Sequence, residues 1–176
     1  AMGFFFGHGS GNYISRELGA RRRDNAVKMA STGFFSSFFL GLLILVLGEM
    51  FLTPLSLMLG STPTILPYTE DYMQIILLGT PFLTSSLTLN GQMRLQGNAS
   101  FAMYGIVTGA VLNVLLDPFF IFVCDMGVSG AAWATVVGQM VSFVILFLMS
   151  RRKENIAIHF SDFSPSWLIC KEIFYG

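Results

Sequence analysis

The chain has 176 residues, ten Lys plus Arg, ten Asp plus Glu and a formal net charge of zero; 53% of it is hydrophobic and only 11% charged, against about 25% charged in an ordinary soluble domain. Together with a mean hydropathy of +0.67, this excludes a disordered chain and a nucleic-acid binder, and it disfavours a soluble enzyme, whose surface could not cover 18 Phe and 10 Met. An integral membrane protein is the expected class, with room for about four spanning helices.

Residues 1–15 are short, apolar and Gly-rich, and read as the end of a spanning helix that begins before the chain does. A basic loop follows over 16–28, with Arg16, Arg21, Arg22, Arg23 and Lys28. The first full span is Gly33 to Leu52, its helix starting near Asn25, with one charge at Glu49 that is expected to snorkel to the interface. The second is Tyr72 to Met93, uncharged, with Pro81 expected to bend it. The third is Phe101 to Cys124, whose one charge, Asp117, precedes Pro118; the fourth is Met126 to Ser150, uncharged. Each can cross a hydrocarbon core of about 30 Å. Residues 29–150 thus form a four-helix unit. The tail, 151–176, opens with Arg151, Arg152 and Lys153 and continues as an amphipathic stretch, with Ser164-Pro165 as a helix start and Phe163, Trp167, Ile173 and Phe174 as its apolar contacts. Both ends read as cuts through a longer chain.

All ten Lys and Arg fall before the first span, between the second and third, or after the fourth. The other two connections carry Glu70, Asp71 and Asp125 and no basic residue. The positive-inside rule places the basic loops in the cytoplasm, and Cys124 and Cys170 then lie on opposite sides. Lipid tails are as apolar as Leu, so close packing needs small residues. Gly105 and Gly109 on the third span, with Gly127, Gly130, Ala131, Ala134 and Gly138 on the fourth, provide such a seam.

Polar residues within spans are expensive and mark sites. Asn113 lies one turn from Asp117 on the same helix face. Thr135 on the fourth span and Tyr72 at the start of the second are expected at comparable depth. An Asp, an Asn, a Thr and a Tyr converging in the outer half of a bundle suit a proton or Na⁺, both hard and oxygen-seeking. Gln139 and Thr84 face either a central cavity or another helix, and Asn90 and Gln92 either a cavity or neighbouring backbone. There is no nucleophile–base pair, CxxC or HExxH, so neither catalytic residues nor a metal centre nor a cofactor is expected.

The segment ISRELGARRRDNA (Ile14–Ala26), the loop LQGNAS (Leu95–Ser100), and NVLLDPFFIF followed by MGVSGAAWATVVGQ (Asn113–Phe122, Met126–Gln139) resemble the multidrug and toxic compound extrusion (MATE) transporters. The resemblance implies an all-α integral membrane fold: four transmembrane helices, a partial N-terminal helix end and a cytoplasmic C-terminal amphipathic segment leading into the interlobe linker. These belong to a twelve-helix, two-lobe transporter whose first helix and C-terminal lobe are missing from this chain. It implies a multi-pass protein of the inner (plasma) membrane that exports small organic compounds in exchange for Na⁺ or H⁺, with the bilayer as partner and no nucleic acid. Asp117, Asn113 and Thr135, with Tyr72, match the family's cation-site positions, while the family's first-helix Asp has no counterpart. Two other readings stand beside this one: a lipid-linked oligosaccharide flippase of the same superfamily, and a non-transporting membrane scaffold subunit.

Overall fold

The computed structural model describes residues 2–152, 156, 158–163 and 167–175. The helices are α1 (Met2–Gly19), α2 (Arg23–Met50), α3 (Leu52–Met58), α4 (Leu66–Leu95), α5 (Ala99–Pro118), α6 (Gly127–Ser150) and α7 (Trp167–Tyr175). A π turn, Phe119–Val123, extends α5, and a short 3₁₀ turn covers Phe160–Asp162. Four helices are long and apolar enough to span a membrane: α2, α4, α5 with its π turn, and α6. They alternate in direction through short connections, so Arg23, Arg94 and Arg151 fall at one end of the bundle, and Glu70, Asp71 and Asp125 at the other.

The basic stretch 16–28 differs from the expected loop. Arg16 lies in the last turn of α1 and Arg23 already opens α2, leaving a tight turn at 20–22. Arg21 takes a left-handed backbone there, at φ 59°. The turn is held from inside. Glu17, 5% exposed, accepts from Arg22 Nε and Asn25 Nδ2, each at 3.0 Å. The two donors offset the cost of burying that carboxylate and hold the turn in one geometry.

α4 is the central helix, packing against α1, α2, α5 and α6. Burial separates centre from rim: 44% of the most apolar stretch of α4 is buried, against 6% for α5 and its π turn. The buried face of α4 is polar and small, including Gly79, Thr84, Ser85, Thr88, Asn90, Gly91 and Gln92. Its hydroxyls are satisfied by backbone carbonyls, such as Ser85 to Pro81 O at 2.7 Å and Thr88 to Thr84 O at 2.9 Å. Thr84 also reaches across to Ser37 O on α2 at 3.1 Å. Asn90 donates to Ala102 O at 2.8 Å, and Gln92 to Ser10 Oγ at 2.9 Å and Ala30 O at 3.2 Å. These two amides therefore bind helices together. The helix remains α-helical on both sides of Pro81.

Close backbone approach replaces hydrophobic contrast as the packing device. A Cβ on Gly109 would lie 2.9 Å from Gly138 O, and one on Gly138 would lie 2.8 Å from Gly109 O. Gly105 receives the Leu146 side chain, and Gly130 backs onto Phe120 of the π turn at 2.9 Å. The expected α5–α6 seam is therefore present, save at Gly127, where nothing lies within 4 Å. Gly91 of α4 meets Gly7 of α1 in the same way, at 2.8 Å.

Two apolar clusters sit at the basic end. One contains Ile14, Ala26, Met29 and Ala30; the other contains Phe34, Leu89, Met93, Ala102 and Leu146. The tail seals both, with Ile156 and Ile173 in the first and Ile158 in the second. It is tied by Ile156 N–H to Gln96 Oε1 at 3.2 Å and His159 N–H to Ser31 Oγ at 3.3 Å. Phe163 contacts the rings of Phe35 and Phe39. Trp167 departs from expectation: it is 84% exposed and adds no core contact. Ser164-Pro165 and the Phe174 side chain lie outside the described residues.

Candidate functional site: an uncharged cavity between α4, α5 and α6

The seam at Gly109 and Gly138 sets the site. One turn from Gly109 along α5 stands Asn113, and its Cβ lies 3.5 Å from where a Cβ on Gly138 would be. The glycine thus makes room for the amide. Asn113 Nδ2 donates to Thr135 Oγ1 at 3.1 Å, and Thr135 Oγ1 donates to Ala131 O at 3.0 Å. The threonine proton is committed to its own helix, so the hydroxyl meets Asn113 as an acceptor. The Asn113 carbonyl oxygen has no hydrogen bond among the described residues.

Asn113 and Thr135 line a cavity of about 260 Å³, together with Ser86 of α4 and Gln139 and Ser142 of α6. No charged residue lines it. Gln139 follows Thr135 by one helical turn, and its Oε1 is buried without a hydrogen-bond partner. The side chain lies against Gly79 of α4, where no Cβ would fit beside it. Of the two readings open for Gln139 and Thr84, Gln139 faces the cavity and Thr84 bonds another helix.

The four residues expected to converge are only partly brought together. Asn113 and Thr135 touch. Asp117 is one turn along α5 from Asn113, half-buried, outside the cavity lining, and without a hydrogen bond or ion pair among the described residues. It stands where α5 widens: Pro118 ends the α-helix, and Cys124 N–H closes the π turn on Phe119 O at 3.1 Å. Tyr72 is elsewhere. It is 37% exposed and lines a separate recess of about 300 Å³ with Ile65, Tyr68, Thr69 and Val128. The physical reason lies in helix length. α4 begins at Leu66, so Tyr72 is in its second turn, on a face turned to the start of α6, not to Asn113.

Glu49 stands half-buried one residue from the end of α2, with one carboxylate oxygen buried without a hydrogen-bond partner among the described residues. Gln139 was not singled out as a site residue. Its sequence signal was the spacing from Thr135, which puts both on one face of α6.

Residues 1–119, two thirds of the chain, match the family model described as MatE. The chain belongs to the MatE family. It is 33% identical over 177 residues to "Multidrug export protein MepA" of Staphylococcus haemolyticus, a match that covers 99% of this chain and 39% of that protein. Among solved structures it resembles an inward-facing multidrug resistance MATE family transporter of the MOP superfamily, with TM-score 0.91, 29% identity, and coverage of 99% of this chain and 40% of that one. It also resembles an outward-facing one, with TM-score 0.88, 30% identity, and coverage of 98% and 39%. This MatE chain therefore spans about 39% of the length of the curated relative and 40% of the inward-facing structure. It is an all-helical part of a lobe in a multi-pass membrane transporter family.

Proposed function

We propose that this MatE chain forms most of one lobe of a secondary antiporter that expels small organic compounds in exchange for Na⁺ or H⁺, by alternating access and without covalent chemistry. The carrying observation is the uncharged, mostly apolar cavity of α4, α5 and α6, on whose wall Asn113 and Thr135 are hydrogen-bonded, with Asp117 one turn away. In this reading Asp117 supplies the charge for the coupling ion and the Asn113 carbonyl a neutral oxygen. The cavity takes apolar and hydrogen-bonding parts of the exported compound. Two observations support it: the relative's name as a multidrug export protein, and the likeness to relatives in both inward- and outward-facing forms, as rigid-body lobe motion requires.

The basic end faces the cytoplasm in this reading, in the plasma membrane, by the asymmetry of Lys and Arg. The flippase reading calls for a basic cavity. Neither the lining residues nor residues 29–93 and 95–150 include a Lys or Arg, which weighs against it.

The test is dye efflux by the full-length protein in cells, with membrane abundance measured alongside. Asp117→Asn is expected to reach the membrane normally and to lose about tenfold or more of its ion-driven efflux, equivalent to about 1.4 kcal/mol of lost coupling. Asn113→Ala is expected to weaken it and to change its dependence on Na⁺ or pH. Full efflux by Asp117→Asn removes the carboxylate from the proposed ion site.

A further inference from the structure

The described basic side chains differ in their surroundings. Around α1, α2 and α7 two of them are ion-paired, Arg16 with Glu172 at 2.8 Å and Arg22 with Glu17 at 3.0 Å. Arg94, at the end of α4, and Arg151 and Arg152, just beyond α6, are exposed and have no ion pair among the described residues. From Tyr72 to Arg152 the only acids are Asp117 and Asp125, both at the opposite end of the bundle. Apart from Glu154, which follows soon after in the sequence, no acid of α4, α5 or α6 stands at this end to offset these three arginines.

Two of these arginines rest on aromatic rings. The Arg151 guanidinium lies 5.4 Å from the Phe147 ring centre, and that of Arg152 lies 5.9 Å from the Phe101 ring centre. Both rings are anchored against the cluster of Leu89, Met93, Ala102 and Leu146. Resting on a ring occupies the face of a guanidinium and leaves its N–H edge open, the edge that grips a phosphate with two parallel hydrogen bonds. The tail beyond Arg152 is held to the α4–α5 turn by Ile156 N–H on Gln96 Oε1, which keeps the pair near the turn that follows Arg94.

Depth identifies the ligand. Arg151 directly follows a 24-residue apolar helix, so the pair stands at headgroup level. Below it are exposed apolar side chains, Val144 and Leu148 on α6 and Met103 and Tyr104 on α5. Phosphate chemistry above and hydrocarbon contact below describe an amphiphile. We propose that Arg151 and Arg152, with Arg94 across the α4–α5 turn, form a binding site for the headgroup of an anionic phospholipid in the leaflet at the basic end. The site does not depend on the ion-coupling reading, because it lies at the other end of α5 from Asp117.

Native mass spectrometry of the purified full-length protein tests this, with phosphatidylglycerol and phosphatidylcholine as the probes. The unmodified protein should retain phosphatidylglycerol in preference to phosphatidylcholine. Excess inorganic phosphate should not displace it, because the acyl chains contribute to binding. R151Q/R152Q should weaken phosphatidylglycerol retention about 25-fold, about fivefold for each arginine near an anionic surface. R16Q, whose arginine is already paired, should leave the preference unchanged. Equal retention of the two lipids by the unmodified protein overturns the proposal. So does displacement by inorganic phosphate, or an R151Q/R152Q protein that retains phosphatidylglycerol as the unmodified one does. Should the double variant fold poorly, the lipid preference and phosphate competition of the unmodified protein still decide.

Discussion

Thr135 accepts a hydrogen bond from Asn113 at 3.1 Å and passes its own proton to Ala131 O at 3.0 Å, so one hydroxyl joins α5 to α6 and orients the amide facing the cavity. Removing it leaves a half-buried amide without its acceptor, at a cost of about 1–3 kcal/mol. Thr135→Val, nearly the same shape, should therefore lower thermal stability in detergent, while Thr135→Ser should retain it. Equal stability of the two variants would mean the bond contributes nothing.

The α5–α6 seam makes a steric prediction. Gly109→Ala places a Cβ 2.9 Å from Gly138 O, a backbone atom that cannot swing aside. Overpacking of this kind costs about 1–3 kcal/mol. Gly19→Ala, at a position with nothing within 4 Å, should be neutral or slightly stabilising. Fluorescence-detected unfolding of the two proteins checks the contrast.

Gln139 should separate stability from transport. Its Oε1 is buried without a partner, and an unsatisfied buried polar atom costs about 1–3 kcal/mol. Gln139→Leu, similar in size, is expected to raise the unfolding temperature and to lower efflux of compounds that carry hydrogen-bond donors. A drop in stability would show that the glutamine is satisfied in the membrane.

The two ion pairs at the basic end should differ in strength. Arg16–Glu172 is open to solvent, with side chains 66% and 35% exposed, and falls among pairs worth at most about 1 kcal/mol. Glu172→Gln should be nearly silent. Glu17, with its side chain 7% exposed, serves both Arg22 and Asn25. Glu17→Ala removes two hydrogen bonds but leaves Arg22 open to water, so it should cost about 2 kcal/mol and loosen the turn at 20–22, visible as faster amide exchange at the start of α2.

Orientation is checked with an impermeant thiol reagent. In a background with Cys124 and Cys170 changed to Ser, T64C should be labelled in intact cells and R22C only after permeabilisation. Both positions are exposed, so access is not the variable. Labelling of both in intact cells would remove the proposed orientation.

Composition and order along the chain determined the class, the four spans to within a few residues at most ends, the separation of basic from acidic connections, and the family. Each is a property summed along a helix axis, where the cost of placing a charge in hydrocarbon leaves few alternatives. The close approach of Gly109 and Gly138 was legible for the same reason, since only small residues let helices meet in lipid. Rotation about each axis was not. Lipid and protein interior are equally apolar, so α5 and α6 carry no amphipathic stripe that marks an inner face, and sequence could not tell that Asn113 meets Thr135 while Tyr72 lines a different recess. Nor could it show that Glu17 closes the turn at 20–22, that Gln139 faces the cavity without a partner, or that Arg151 and Arg152 rest on Phe147 and Phe101. Except for Arg151 and Phe147, which are one helical turn apart at the end of α6, those contacts join residues on different helices or across a turn, and tertiary packing decided them.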